Sequence, residues 1–444
     1  MNVLFLTMST GVRRIEASGI YTDLMRKFRD EGHQVYVIHP CERRTGLPTA
    51  LHCEQGVHIL GVRTLNVTQT SVVEKGVGQL LLEPLFLRAM KKYFAHIPFD
   101  LILYSTPPIT FNKVIKAAKK RNPKAVTYLL LKDIFPQNAV DLGMMSKTGL
   151  KGVLYKMFRR KERELYRISD FIGCMSPANV DYVLKHNPEV SASKVEIAPN
   201  SYDVPPKVEN VGKEGYRVGR DEGIEGYRDG REGYRVGKDG REGYRVGKEG
   251  YRDGKEIRAK YGLPLDLPIF IYGGNMGRPQ GISHLVECMK AVKDRTDCHF
   301  VIVGDGTEFP KLEAFVNECH PKAVSLFRTL PKDDYDRLAQ ACDVGLIFLD
   351  YRFTIPNYPS RLLPYLMSSK PIIACTDPNC DTGSLAEQNG YGFYCPANDV
   401  DAFVNTINRA LAADIPQMGR NAFQFFLHNY TTDHTYSTII KHLR

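Results

Sequence analysis

The stretch that decides the fold is Leu267–Leu285, LPIFIYGGNMGRPQGISHL. Its apolar start, Ile269–Tyr272, is typical of a buried β-strand, and a helical pattern runs from Ile282 to Val292. The glycine-rich turn between them lets backbone N–H groups approach an anion at the N-terminus of the helix. Arg278 lies in this turn, and its guanidinium suits phosphate oxygens. The stretch therefore predicts a phosphate-binding strand–loop–helix unit, although an ordinary glycine-rich loop has the same pattern.

The composition is that of a globular protein. The 444 residues are 43% hydrophobic and 25% charged, and this length predicts two or three domains. No apolar run approaches the ~20 residues that span a bilayer, and the first residues are typical of a strand rather than a signal peptide. The ten cysteines show no paired metal-ligand spacing, so we expect a reduced, cytoplasmic setting and no metal site.

Positive charge is concentrated in the first part of the chain. Residues 1–205 carry 29 Lys and Arg against 18 Asp and Glu, whereas residues 257–444 carry 18 against 20. This part also contains two basic segments, Gln79–Phe94 and Leu150–Arg167, with apolar residues at three- and four-residue steps. Such helices bind anionic bilayers, although most are core helices with a solvated basic face. We therefore expect an anionic surface or partner on this half.

Strand-like and helical runs alternate on both sides of a low-complexity segment, which predicts an α/β protein with two doubly wound sheets. We place one Rossmann-like domain at 1–205, a second at 257–425, and a C-terminal helix at 426–444 that packs back toward the first domain. Residues 206–256 between them are rich in Gly, Tyr and Arg and poor in apolar residues. We predict a disordered insertion there; the alternative is a Tyr/Arg strip for RNA or a membrane, which the interspersed acidic residues disfavour.

Polar residues follow several predicted strands of the first half. Arg13 and the turn at Ser18 and Gly19 follow the first strand, Thr106 follows another, and Asp133 follows a third. Open α/β sheets bind ligands at the edge where their parallel strands end. Asp133 directly follows an apolar run, so it is our candidate for a general base or a ligand of a sugar hydroxyl. A carboxylate that only caps the next turn is the alternative.

The second half contains two more candidate phosphate-binding segments. Ser360 follows a proline at the start of a predicted helix, so its hydroxyl and the next N–H groups could face a diphosphate. A capped surface helix has the same sequence pattern. Gly304, in VIVGDG, lies in a strand-to-helix turn that either binds a nucleotide or is simply tight.

Together, GGNMGRPQG, VGDG and YPSRLLPYL followed by KPIIA resemble the nucleotide-binding half of retaining family-four glycosyltransferases of the GT-B fold. The segments SGIYTDLMRKFRDEGHQVYVI, LKDIFPQNAVDLGMM and IAPNS resemble the acceptor half of the branch that builds capsule and O-antigen sugars. The resemblance covers nearly all of the chain except the segment 206–256. It implies two Rossmann-like domains facing across a cleft, retention at the anomeric carbon, and no cofactor or metal.

The resemblance also implies roles for single residues. Arg278 would bind the diphosphate and stabilise the leaving group, and Asp133, Ser18, Gly19, Arg13 and Thr106 would line the acceptor side. The expected donor-binding residues are Gly274, Asn275, Gly277, Gln280, Gly304, Ser360, Arg361 and Leu362.

Two departures from the family bear on these roles. Gln280 stands where many members have Lys, which leaves Arg278 as the one side-chain cation carried over. Pro356 and Pro364 stand where members have two Glu that bind the sugar and the ribose, so the mode of sugar recognition is not carried over.

The expected function is transfer of a hexosyl or N-acetylhexosaminyl group from a nucleotide-sugar, most simply a UDP-sugar, to a lipid-linked saccharide. The protein would act in cell-surface polysaccharide synthesis, peripherally at the cytoplasmic face of the membrane, without nucleic acid. A nucleotide-sugar epimerase with the same fold and a non-catalytic nucleotide-sugar-binding partner remain alternatives.

Overall fold

The computed structural model describes residues 1–67, 70, 72–204, 235–236, 242–243 and 248–443. The chain forms two compact units. Unit 1 comprises Met1–Asp203, Phe353–Tyr358 and Asn429–Arg444, and unit 2 comprises Val204–Arg352 and Pro359–His428. Each unit is built on its own β-sheet.

The sheet of unit 1 has eight strands. They are β1 Asn2–Leu6, β2 Gln34–Glu42, β3 Ala50–Glu54, β4 Val57–Thr64, β5 Leu101–Ser105, β6 Val126–Leu131, β7 Phe171–Cys174 and β8 Val195–Ile197. Their order across the sheet is β3–β4–β2–β1–β5–β6–β7–β8. The pairs are parallel except that β3 runs antiparallel to β4 at the edge.

Helices cover both faces of this sheet. They are α1 Thr22–Asp30, α2 Val72–Tyr93, α3 Asn112–Arg121, α4 Gln137–Asp141, α5 Gly149–Ile168, α6 Pro177–His186 and, at the end of the chain, α15 Thr432–Ile440. Along β1, Leu4 and Leu6 pack with α2, α3 and α5, whereas Val3 and Phe5 pack with α1 and α15. This alternation is the two-residue period of a strand buried on both faces.

The C-terminal segment packs on unit 1. Ile439 joins the core that includes Phe28 of α1, and the Lys27 ammonium lies 2.5 Å from the Asp433 carboxylate. Tyr202 and Thr431 form an isolated parallel bridge. The segment expected at 426–444 therefore lies in unit 1 from Asn429 onward.

The sheet of unit 2 has six parallel strands. They are β11 Ile269–Gly273, β12 His299–Val303, β13 Val324–Phe327, β14 Val344–Phe348, β15 Ile372–Thr376 and β16 Gly392–Pro396. Their order is β13–β12–β11–β14–β15–β16. The order reverses between β11 and β14, and open sheets of this kind bind ligands where such a reversal occurs.

Eight helices accompany this sheet among the described residues. They are α7 Lys248–Lys260, α8 Ile282–Val292, α9 Phe309–Cys319, α10 Lys332–Ala341, α11 Leu362–Met367, α12 Thr382–Gln388, α13 Val400–Leu411 and α14 Ile415–Asn429. Two short strands, β9 Arg235–Val236 and β10 Glu242–Gly243, pair antiparallel. None of the helices among the described residues combines the length and the hydropathy of a membrane-spanning segment.

The predicted α/β class with two Rossmann-like sheets is confirmed. The hairpin of β3 and β4 was not predicted. The segment 206–256 was predicted to be disordered, but α7 begins within it, at Lys248. Contacts distant in sequence hold this helix, because Ile257 is 1% exposed and Arg258 Nε donates to Ala341 O at 2.9 Å. Most of that segment lies outside the described residues.

Candidate functional site

The glycine-rich loop leaves the central strand of unit 2. β11 ends at Gly273, and the loop continues to Gly281 before α8 begins. Gly274 has a φ of 121°, a conformation that L side chains rarely adopt. Its N–H donates to Val303 O at 2.9 Å, and Met276 N–H donates to Asp305 O at the same distance. The loop backbone is therefore fixed against the turn that follows β12.

This turn after β12 contains Gly304, for which the sequence left two interpretations. A Cβ on Gly304 would lie 1.9 Å from Gly274 O. The glycine therefore allows close packing between the two loops, which supports the tight-turn interpretation. A direct contact between Gly304 and a nucleotide stays a prediction.

The Gln280 side chain stabilises the conformation of the loop. Its Oε1 accepts hydrogen bonds from Gly277 N–H at 3.1 Å and from Asn275 Nδ2 at 3.2 Å. A lysine ammonium has no acceptor and could not make either bond. The departure from the family at this position thus exchanges a cation for an acceptor that holds the loop in shape.

Arg278 reaches outward from the same loop. Its side chain is 57% exposed, and its Nε lies 4.0 Å from Glu308 Oε1. Glu308 also pairs with Lys311. Because the contact of Arg278 with Glu308 is long and exposed, it is weak, and the guanidinium can turn to an anion.

A second guanidinium, that of Arg361, lies against the loop. Its Nη2 donates to Asn275 O at 3.2 Å, and its Cζ lies 4.3 Å from the ring centroid of Tyr272. Nη1 is buried and has no hydrogen-bond partner among the described residues. The sequence indicated only the backbone of this residue as a donor. The sequence did contain one indication that the Arg361 side chain has a separate role. A cation at the N-terminus of a helix is unfavourable next to the positive end of the helix dipole, so helix stability does not explain an arginine there.

The start of α11 differs from the prediction. Ser360 was expected to cap the helix or to be its first residue, but the cap is Arg361 and the helix begins at Leu362. Leu362 is buried, and its N–H donates to Pro359 O at 3.1 Å. That N–H is therefore used inside the turn, and the exposed Ser360 hydroxyl is left as the candidate ligand there.

The two prolines that replace the expected Glu pair have different surroundings. Pro356 is buried in unit 1, where its carbonyl accepts from Asn179 Nδ2 at 2.6 Å. Pro364 is exposed on α11 of unit 2. Neither side chain can supply a carboxylate.

Asp377 is a buried carboxylate that the sequence reasoning missed. It follows β15, it is 1% exposed, and its Oδ1 accepts from Asn379 N–H at 2.9 Å. Its Oδ2 and the neighbouring Thr376 Oγ1 have no partner among the described residues. Burial raises the pKa of Asp377 to about 6. Such unsatisfied buried groups call for a ligand or water.

In unit 1, Thr106 and Asp133 lie together at the carboxyl edge of the sheet. Thr106 Oγ1 accepts from Lys132 N–H at 2.9 Å and from Asp133 N–H at 3.2 Å. Asn138 Nδ2 donates to both Asp133 oxygens, at 2.8 and 3.0 Å. Burial raises the pKa of Asp133 to about 6, against the opposing bonds from Ile134 N–H and Asn138. A carboxylate with this pKa can exchange protons near neutral pH.

The turn at Ser18 and Gly19 is hydrogen-bonded to the nearby carboxylate of Asp23. Asp23 is fully buried, and its Oδ1 accepts from Gly19 N–H at 2.8 Å. Its Oδ2 accepts from Ser18 Oγ at 3.5 Å, and Arg26 pairs with it at 2.7 Å. The Ser18 hydroxyl and the Gly19 N–H are therefore already occupied. Arg13 is exposed and has no ion-pair partner among the residues described, so it is the available cation of this group.

Residues 253–423 match the family described as Glycosyl transferases group 1. This match covers 171 of the 444 residues, nearly all of them in unit 2. A similar curated protein, "Probable glycosyltransferase WbjE" from Pseudomonas aeruginosa, is 26% identical over 163 residues, which are 37% of this chain and 40% of that protein. The chain thus spans less than half the length of this relative.

Solved structures resemble nearly the whole chain. Anabaena Alr3699/HepE in complex with UDP has a TM-score of 0.63 at 14% identity and covers 100% of this chain and 99% of its own. WaaG, a glycosyltransferase involved in lipopolysaccharide biosynthesis, has a TM-score of 0.60 at 11% identity and covers 99% of both chains. At these identities the likeness shows the GT-B fold.

Proposed function

We propose that this protein is a retaining glycosyltransferase that moves a hexosyl or N-acetylhexosaminyl group from a nucleotide-sugar to a lipid-linked saccharide. The observation that carries the proposal is the glycine-rich loop with two guanidinium groups, those of Arg278 and Arg361, in a domain that matches the group 1 family. A solved relative binds UDP, so a UDP-sugar is the expected donor.

The chemistry proposed for the loop is electrostatic. Breaking the bond between the anomeric carbon and the diphosphate develops negative charge on the leaving phosphate. The guanidinium groups of Arg278 and Arg361 would stabilise the transition state more than the intact donor, because the leaving phosphate carries more negative charge in the transition state. Gln280 would keep Gly277 and Asn275 in place during the reaction, because it binds both. The exposed Ser360 hydroxyl would add a further donor.

Recognition of the sugar is assigned to Asp377 and Thr376. Their side-chain oxygens without partners lie at the end of β15, at the same edge as the glycine-rich loop. A carboxylate accepts strong hydrogen bonds from sugar hydroxyls. This pair would replace the carboxylates that Pro356 and Pro364 cannot provide.

On the acceptor side, Asp133 would accept the proton of the attacking hydroxyl. Its pKa of about 6 leaves it largely ionised at neutral pH. Thr106 would hold the backbone at Asp133, and Arg13 would contribute positive charge toward a phosphorylated acceptor. The Ser18–Gly19 turn would shape this side, because the Ser18 hydroxyl and the Gly19 N–H already bind Asp23.

A lipid-linked acceptor, and with it a peripheral position at the cytoplasmic face of the membrane, is supported by two observations. Residues 1–205 carry a net positive charge, which attracts anionic membrane surfaces. WaaG, which shares the fold, is involved in lipopolysaccharide biosynthesis. A role in capsule or O-antigen synthesis is the finer form of this proposal.

The test is a binding screen of the full chain against UDP-, GDP-, dTDP- and CMP-sugars, followed by transfer to lipid-linked acceptors. We expect binding of one donor class and product with retained configuration. Full transfer by Arg278→Ala would refute the assignment of the loop. A new epimer formed from donor alone would instead identify an epimerase, and tight binding without turnover would identify a non-catalytic partner.

A further inference from the structure

The first half of α5 carries a row of exposed apolar side chains. Leu150 is 93% exposed, Val153 68%, Leu154 44% and Met157 41%. Their spacing places them on one face of the helix. Amphipathic surface helices of globular proteins normally turn such a row to the core. A contiguous exposed apolar patch marks an interaction site.

Basic side chains lie on the face next to this apolar row. Lys156, Arg160, Arg163 and Arg167 line a groove of about 610 Å³. Arg163 is neutralised by Glu189 at 2.6 Å. The other three have no ion-pair partner in the described part of the chain, so the groove keeps a net positive charge.

The remaining face of α5 is buried, and this fixes the orientation of the helix. Leu165 and Tyr166 are each 1% exposed, and Tyr166 donates to Glu162 at 2.8 Å. Phe158 packs edge-on against Phe135 with ring centroids 5.1 Å apart. The apolar row therefore cannot turn inward without breaking the core.

We propose that α5 docks unit 1 on an anionic lipid bilayer. The apolar row would enter the boundary between headgroups and acyl chains, and the basic groove would face lipid phosphates. Charge complementarity favours a bilayer over a second copy of this chain, because the groove would meet the same positive charge there. Binding to a bilayer does not depend on the proposed function; only the purpose of the binding rests on it. Phe135, which contacts α5, lies two residues after Asp133, so docking would bring the acceptor-side carboxylate close to a lipid-linked substrate.

The test is sedimentation of the full chain with vesicles of phosphatidylcholine alone and of phosphatidylcholine mixed with phosphatidylglycerol. We expect binding to the mixed vesicles only, and loss of binding at about 1 M salt, where the Debye length is about 3 Å. Leu150→Ser/Val153→Ser and Lys156→Gln/Arg160→Gln should each lower the partition at least about tenfold.

The matched control is Lys120→Gln/Lys124→Gln, which removes the same charge from exposed positions at the end of α3 and just beyond it. We expect the control to bind like the unmodified protein, with unfolding temperatures alike for all variants. Equal binding by the α5 variants, or a dimer in lipid-free solution that Leu150→Ser/Val153→Ser disrupts, would overturn the proposal. The assay needs no turnover, so it separates this inference from failure of the transfer reaction.

Discussion

Replacing Arg361 by Gln tests the electrostatic part of the proposed reaction most directly. The substitution removes one of the two positive charges beside the glycine-rich loop and keeps a side chain of similar length. It also removes the hydrogen bond to Asn275 O and the contact with the Tyr272 ring. Because the ligand is proposed to be a diphosphate, the loss should depend on phosphate rather than on the base.

The expected magnitude follows from the chemistry of the contact. A hydrogen bond between charged groups contributes about 1.5–3 kcal/mol, which corresponds to a loss in affinity of about ten- to hundredfold. Calorimetric titration with UDP should show this loss, whereas titration with uridine, which lacks phosphate, should give the same affinity for both proteins. Arg278→Gln should behave alike, and the double variant should lose more than either.

Arg409→Gln is a matched control in the same unit. Arg409 stacks over Phe393 at 4.8 Å and pairs with Glu387 at 3.2 Å, so its substitution removes a comparable stack and one polar contact away from the loop. We expect UDP affinity to be unchanged. Unaltered UDP affinity in Arg361→Gln, in a protein that binds UDP, would refute the second-cation reasoning. Equal losses for UDP and uridine would show that the residue acts only through the shape of the loop.

Three further predictions concern stability, pH and the insertion. The pKa of Asp377 is raised from 3.8 to about 6, so the folded state binds this proton more tightly than the unfolded state does. The free energy of unfolding therefore falls as the pH rises between these two values. Urea unfolding of Asp377→Asn should show this fall reduced by about 3 kcal/mol, and an unchanged pH dependence would contradict the burial argument. Asn138→Ala removes both contacts of the Asn138 amide with Asp133, which stabilise the ionised carboxylate. The acid limb of the transfer rate should therefore move to higher pH; an unmoved limb would exclude Asp133 as the base. Deleting 211–254 leaves Ile257 and Arg258 of α7 with their contacts, so the unfolding temperature should stay nearly unchanged; a large loss would contradict a dispensable insertion.

Much of the fold could be predicted because its signals are local. The strand at Ile269–Gly273 is a continuous apolar run, and the helix at Ile282–Val292 has buried residues at three- and four-residue steps. The hairpin of β3 and β4 was missed, although Gln55 and Gly56 at its turn have φ values of 47° and 80°. In sequences, Asn-Gly or Asp-Gly usually indicates a hairpin turn with such positive φ values, and Gln-Gly is a weaker indication.

The side chains of the candidate site were less predictable. Tyr365 of α11 donates to Ile271 O at 3.0 Å and accepts from Gly273 N–H at 3.2 Å, which ties α11 to β11 across 94 and 92 positions of sequence. This tie places Arg361 against the loop, and no local pattern encodes it. The partnerless oxygen of Asp377 is likewise visible only when every neighbour of the residue is known.

The sequence by itself determined the alternation of strands and helices in both halves, the glycine-rich loop and the presence of Arg278 in it. These follow from backbone preferences and from the spacing of apolar residues, which act over a few positions. Only the tertiary structure decided that the Arg361 guanidinium lies against the loop, that Gln280 binds Gly277 and Asn275, and that the apolar row of α5 faces outward. Burial and side-chain neighbours depend on contacts between residues far apart in the chain, and the local sequence does not contain them.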